Sequence, residues 1–510
     1  MKPILISDCS IGSARKSILV MGGVIDEVYD GVPVPSPDWT VIEAAGGTIL
    51  PGLIDTHCHP FELGSLKKEL DLRGVGNIVG LRLRLAAAVR RTPKGDWIVG
   101  RGWDHEAFSD LRLPSMSDVD DLTPDNPIVL TRVCGHIALI NSRALALLGP
   151  GERRGPECDR DESGELTGIL RESALEEVYA KVPRTVAGEA EALLAAEFEA
   201  SRFGLTSLYA IVSPEGWREQ LESLLTLESG GSLSLRYKVY VPHEAMGFVA
   251  EQKGKGRFES DSVCVKGVKL YTDGSLGART AALREPYYDD PGNSGILRYS
   301  DEELAELVSR ADQAGHQVIV HAIGDRAVEQ AADALSTIVG GGNPRRHRVE
   351  HASLLPKDLR SKLVRLSIPV TVQPMFIVSD SWASRRLGDE RVLDLYPLKS
   401  MAEEGLTASG SSDSPVETMS PILGMWAAMD RGGTNPPESL TMDEAVALYT
   451  DSARLNGGLP VQRVEAGMPA DLTLLDSDVQ GMHPALLRKV GVTLTMVGGH
   501  PVYSSGAVEA

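Results

Sequence analysis

Residues 49–59 read ILPGLIDTHCH, an apolar run that ends in two histidines one residue apart. Leu53–His57 reads as a strand entered through Pro51-Gly52. On an extended strand, residues i and i+2 point the same way. His57 and His59 can therefore reach one ion together, while Cys58 points away. A His-x-His pair alone is weak evidence, because histidines also pack in cores and loops. Its weight depends on what stands at the ends of other strands.

Seven further strand-like segments follow: Leu205–Ile211, Leu233–Val241, Val265–Thr272, Val318–His321, Arg348–His351, Pro369–Gln373 and Leu406–Ser411. Helical patterns at 187–203, 216–229, 301–314, 325–339, 356–366 and 441–455 separate them, and 390–404 reads as another helix. Ser300-x-x-Glu303 and Thr441-x-x-Glu444 are capping boxes that mark two of the starts. Eight strands alternating with helices predict an α/β fold, a (β/α)8 TIM-type barrel rather than a doubly wound sheet. Residues 61–185 are too long for one crossover, so 62–185 is expected to be a subdomain inserted after the first barrel strand.

Both ends of the chain read as β-structure. The first comprises Ile4–Ile6, Ile18–Met21, Val24–Val28 and Val41–Glu43; the last comprises Asp471–Leu475, Val492–Val497 and His500–Val502. Gly22-Gly23 and Gly498-Gly499 supply the turns. Chain ends often lie close together, so residues 1–50 and 460–510 are expected to build one small β-domain beside a barrel of 51–459.

Composition narrows the function classes. The 510-residue chain carries a formal net charge of -20 and is 42% hydrophobic. An acidic surface repels phosphate backbones and anionic membranes, so neither nucleic acid nor a membrane is expected as a partner. The five cysteines are far apart and form no CxxC, which speaks against a disulfide framework or a cysteine zinc site. The apolar run before Asp8 is too short for a signal peptide, and no run approaches a membrane span. A cytoplasmic location and a small-molecule substrate are the expectation. A homodimer is a common outcome for such enzymes, and the oligomeric state stays open.

Ligand-type residues recur at strand ends: Lys269 in VKLYTDG, His321 in VIVHAIGD, His351 in RVEHAS and Asp413 in ASGSSDSP. Barrel active sites collect at the C-terminal ends of the strands. Together with His57 and His59, these groups would converge on one mouth and hold one or two divalent metals. Nitrogen and oxygen donors suit Zn2+, with manganese, iron or cobalt as alternatives.

The sequence resembles the amidohydrolase superfamily, specifically its amidohydrolase family 3 branch, which includes N-substituted formamide deformylase-like proteins. The matching stretches run in order from LPGLIDTHCH (50–59) through GRGWD (100–104), GHIALINSRAL (135–145), KLYTDGSLGARTAAL (269–283), HAIGDRAV (321–328), EHASLL (350–355), the Gln373-Pro374 pair and SSDSPV (411–416) to AGMPADLTLLD (466–476). The resemblance implies a barrel with a small β-sandwich from both termini and a large insertion after the first strand. It implies that His57, His59 and Asp413 hold one metal, that His321 and His351 hold a second, and that Lys269 is a bridging, carboxylated lysine. A lysine partly desolvated near metals has a lowered pKa, and its neutral amine can take up carbon dioxide. One departure is Tyr209-Ala210 on the second strand, where relatives often carry an acidic residue.

The expected reaction is metal-assisted hydrolysis of a C–N bond in a small amide or formamide. The metals would lower the pKa of water, Asp413 would act as general base and acid, and His136 would help polarise the carbonyl. Arg279, Trp103 and Gln373 are the candidate substrate contacts. Two alternatives stay open. A mononuclear deaminase of a nucleobase-like ring usually has a glutamate shortly after a ligand histidine, and none follows His321. A metal-free regulatory or scaffold relative would have lost ligand positions that are all filled here.

Overall fold

The eight barrel strands are Leu53–Cys58 (β1), Leu205–Ile211 (β2), Arg236–Val241 (β3), Val263–Tyr271 (β4), Gln317–Ala322 (β5), Arg348–His351 (β6), Val370–Val372 (β7) and Ala408–Gly410 (β8). The computed structural model describes residues 2–133, 137–149, 157–171, 173–340 and 342–506. The strands pair in parallel and in chain order, forming one eight-stranded sheet. Most strand residues are fully buried, as in a sheet covered on both faces by crossover helices.

The sheet curls until its two edges, β1 and β8, meet. No ladder joins them among the described residues. Side chains and loops do so instead. The Thr56 hydroxyl lies 3.0 Å from Ser409 Oγ and donates to the Gly410 carbonyl at 2.9 Å. Beyond the strand ends, Asp413 N–H donates to His57 O (2.9 Å) and His59 N–H donates to Ser414 O (2.7 Å). The result is a nearly closed barrel.

Helices return the chain between strands. Those at Asp301–Gln313 and Met442–Tyr449 start in capping boxes, with Ser300 and Thr441 accepting from the N–H groups of Glu303 and Glu444. Two expected helices are broken. Residues 390–404 contain the end of Ala383–Arg391, a short turn and Leu398–Glu403, because Pro397 disfavours helical backbone in the residue before it. The 441–455 pattern splits at Thr450, which leaves helical backbone while its hydroxyl bonds back to Val446 O.

The chain ends form two four-stranded sheets. One holds Ile4–Ile11, Ala14–Met21, Val24–Asp30 and Thr40–Glu43; the other holds Ile49–Pro51, Leu472–Leu475, Val492–Val497 and His500–Ser504. Ile6, Ile18, Leu472 and Met496 share one buried cluster between them. Gly22 and Gly23 both have positive φ, which a two-residue hairpin of this hand requires.

Residues 65–188 are a separate compact unit. Its mixed sheet of six strands includes Ile98–Trp103, Ile128–Arg132 and Leu166–Arg171, and its core is built on Leu81, Leu85, Trp103 and Phe108. Among the described residues, no helix is long and apolar enough to cross a membrane.

Candidate metal centre

At the end of β1, His57 and His59 face the same carboxylate. Asp413 Oδ1 lies 3.4 Å from His57 Nε2 and 3.2 Å from His59 Nε2. The three residues form the cluster able to hold a metal among the described residues. Cys58 turns the other way, with its thiol towards Tyr209 O at 3.8 Å. This is the period-2 geometry of the strand at work.

Two more histidines stand beside this cluster. The His351 ring is 4.9 Å from that of His57 and 4.5 Å from that of His321. His351 has φ +70°, a conformation uncommon for non-glycine residues. Strict alternation would put Glu350 and His351 on opposite faces of β6. The left-handed turn at His351 lets both reach the space around His57.

Three of these imidazoles have one ring nitrogen tied to the protein. His57 Nδ1 meets Glu350. His351 Nδ1 lies 2.8 Å from Gln373 Oε1. Gln373 is itself oriented, because its amide N–H donates to Ser411 Oγ (2.9 Å). His321 Nε2 lies 3.1 Å from the Gly274 carbonyl and 3.3 Å from Asp273. Each such contact fixes a ring and frees its other nitrogen, which is how metal-ligating histidines are generally held.

The protonation states agree with that role. Burial lowers His57 to about 4, with the nearby Lys269 charge adding to it. Burial and the His321 charge bring His351 well below its ordinary value. Burial alone would raise Asp413, but the hydrogen bond to His59 and the His57 and His351 rings outweigh it and hold the acid well below its usual range. Metal ligands must be neutral imidazole and ionised carboxylate, so this donor set fits a divalent cation.

Lys269 is buried on β4, its Nζ 3.3 Å from His57 Nε2 and 4.9 Å from the centre of the Tyr271 ring. Burial lowers its pKa to about 8, against the pull of Glu350 and Asp413. Below the histidines lies a polar network. Arg348 donates to Glu350 (2.6 Å), Thr371 (3.0 Å), the Tyr240 hydroxyl (2.8 Å) and Thr56 O (3.1 Å). Burial opposes the Glu350 charge, but Arg348 and His57 keep the acid ionised well below its ordinary value.

The remaining sequence candidates within the described residues each have partners of their own. His136 lies outside the described residues. Trp103 is fully buried in the core of its own unit and donates to Leu130 O, so it packs rather than lines a pocket. Arg279 is engaged by Asp289 through two contacts of 3.1 and 2.9 Å. Gln373 is buried, and its amide meets His351 and Ser411. The acid beside His321 is Asp273.

The sequence patterns do not single out Glu350, Asp273 or Asp55. Asp55 is fully buried two residues before His57, and burial pushes its carboxyl up to about 7 against the hydrogen bonds of Ser412 and His57. A signal existed. Arg348 and Glu350 share one face of a short strand, and Asp55 interrupts an apolar one. Ionised groups in such places are almost always paired.

The sequence pattern of the amidohydrolase family matches residues 40–503, and the chain belongs to that family. It is 31% identical over 495 residues to YtcJ of Bacillus subtilis (strain 168), spanning 92% of this chain and 91% of that one. It is 26% identical over 522 residues to the N-substituted formamide deformylase of Arthrobacter pascens, spanning 96% and 94%. An uncharacterized metal-dependent hydrolase from Pyrococcus furiosus superposes with a TM-score of 0.80 at 31% identity, over 94% of this chain and 100% of that one. The chain is thus a hydrolase acting on carbon–nitrogen bonds.

Proposed function

We propose that the protein hydrolyses the C–N bond of a small amide or formamide, using one or two divalent metals, most simply Zn2+. The observation that carries this reading is the Asp413 carboxylate shared by His57 and His59, next to imidazoles tied through one nitrogen. His57, His59 and Asp413 would hold one ion, and His321 and His351 a second. Bound metal supplies Lewis acidity, which acidifies water and polarises a carbonyl. Lys269 would bridge the two ions as a carbamate, formed when its neutral amine adds carbon dioxide and releases a proton. Its lowered pKa supports that step.

Asp413 would take a proton from the attacking water and pass it to the leaving nitrogen. Glu350 and Gln373 would hold His57 and His351 in the tautomers that such a site needs. His136 would assist at the carbonyl. Likeness to the N-substituted formamide deformylase supports the formamide arm. A small-molecule substrate, a cytoplasmic setting and a homodimer complete the proposal.

The test is a panel of N-formyl and N-acyl amines assayed on the metal-loaded protein and on Asp413→Asn. The variant should lose turnover by about 10²–10⁴-fold, the usual worth of a proton-transfer group, while keeping most of its metal. Near-normal activity in Asp413→Asn overturns the assignment. Turnover confined to aminated rings would turn the reading to a deaminase.

A further inference from the structure

The barrel seam runs past the candidate metal centre. β1 and β8 share no ladder among the described residues, yet His57 stands next to Cys58, the final residue of one edge, and Asp413 follows the other. Asp55 spans the gap. Its Oδ1 accepts from His57 N–H (3.2 Å) and from Ser412 N–H (3.1 Å), and its Oδ2 accepts from the Ser412 hydroxyl (2.5 Å). Ser412 Oγ in turn accepts from Ser414 N–H (2.9 Å). One buried carboxylate thus grips the residue on either side of the seam and, through Ser412, both neighbours of Asp413.

A second observation makes the grip meaningful. Asp413 has φ +53°, a left-handed backbone that a non-glycine residue adopts only at a cost. Such a conformation persists where surrounding bonds over-determine it. Asp55, Ser412 and the Asp413 N–H to His57 O bond provide that restraint.

We propose that Asp55 is a positioning residue: its carboxylate clasps the Asp413 loop to the strand of His57 and so sets the spacing of the His57–His59–Asp413 cluster. It touches neither metal nor substrate and acts through Ser412. The inference rests on the metal-centre reading only for its consequence, since the clasp itself is a property of the apoprotein.

Two measurements on the full-length protein test it. In metal-free protein, amide hydrogen exchange of residues 411–416 should speed up about tenfold or more in Asp55→Ala and in Ser412→Ala, with little added by combining them, because both act in one unit. In protein loaded with Co2+, both variants should shift the visible absorption of the ion and bind it about 10–100-fold more weakly. Asp55→Asn, which keeps the Oδ1 acceptor, should restore much of the exchange protection. Unchanged exchange in Asp55→Ala overturns the proposal, as does an unaltered Co2+ spectrum. Wild-type protein that takes up no Co2+ sinks the metal reading instead, and the exchange data then decide the clasp alone. A general loss of folding would speed exchange everywhere; acceleration confined to 411–416 supports the clasp, and uniform acceleration overturns it.

Discussion

Ile6, Ile18, Leu472 and Met496 lie between the two terminal sheets, and Arg348 and Glu350 lie at the heart of the barrel; both sets are essentially inaccessible to water. The first set is held by burial of apolar surface, worth roughly 25 cal/mol per Å². The second gains little by that route. A buried ion pair is often no better for stability than apolar residues of the same volume, because desolvation offsets attraction. The pair instead keeps Glu350 ionised against His57, which a hydrocarbon could not achieve. One region is held by apolar burial, and the other fixes the orientation of His57.

Substitutions separate these two roles. Arg348→Met leaves Glu350 buried without its main partner. It should destabilise by about 3–5 kcal/mol in denaturant unfolding and also lower activity. A variant as stable and as active as wild type would erase the contrast. Ile6→Ala opens a cavity in the sandwich and should cost about 2–5 kcal/mol. At temperatures where it stays folded, its kcat should match wild type; a lowered kcat would mean that the sandwich shapes the site.

Smaller effects sharpen the comparison. Gln373→Ala releases His351 Nδ1 and should weaken metal binding about 10–100-fold in chelator competition, with little change in unfolding. Glu69, in the inserted unit, is the counterpart of Glu350. Among the described residues one of its oxygens is buried without a partner, and burial pushes its carboxyl to about 7 from an ordinary 4.5, with Arg101 opposing. The folded form then binds the proton more tightly than the unfolded chain. Stability should therefore fall as pH rises from 4.5 to about 7. Glu69→Gln should flatten this slope in thermal unfolding followed against pH, and an unaltered slope would remove Glu69 as its cause.

Much of this architecture is legible without coordinates. Strand-like segments broken by helical periodicity mark the eight barrel strands, since each crossover in a parallel sheet needs its own helix. The HxH pair and the strand-end positions of His321, His351 and Asp413 follow from the same local rules. The breaks at Pro397 and Thr450 are less legible, because a helical pattern survives where the backbone does not. Arg279, Trp103 and Gln373 look like substrate contacts in the sequence, yet their partners are Asp289, Leu130 O, His351 and Ser411. Residue type shows what a side chain can bind and leaves its neighbours undefined.

Local order along the chain decided that His57 and His59 face one way and that the strands are parallel. Only the tertiary structure decided which groups hold those imidazoles and the nearby carboxylate. Glu350 meets His57 across 293 residues of chain, and Ser412 meets Asp55 across 357. Periodicity is a property of a few neighbouring residues. These contacts arise when a sheet of eight strands closes on itself, and the seam of that closure brings Asp55, His57 and Asp413 together.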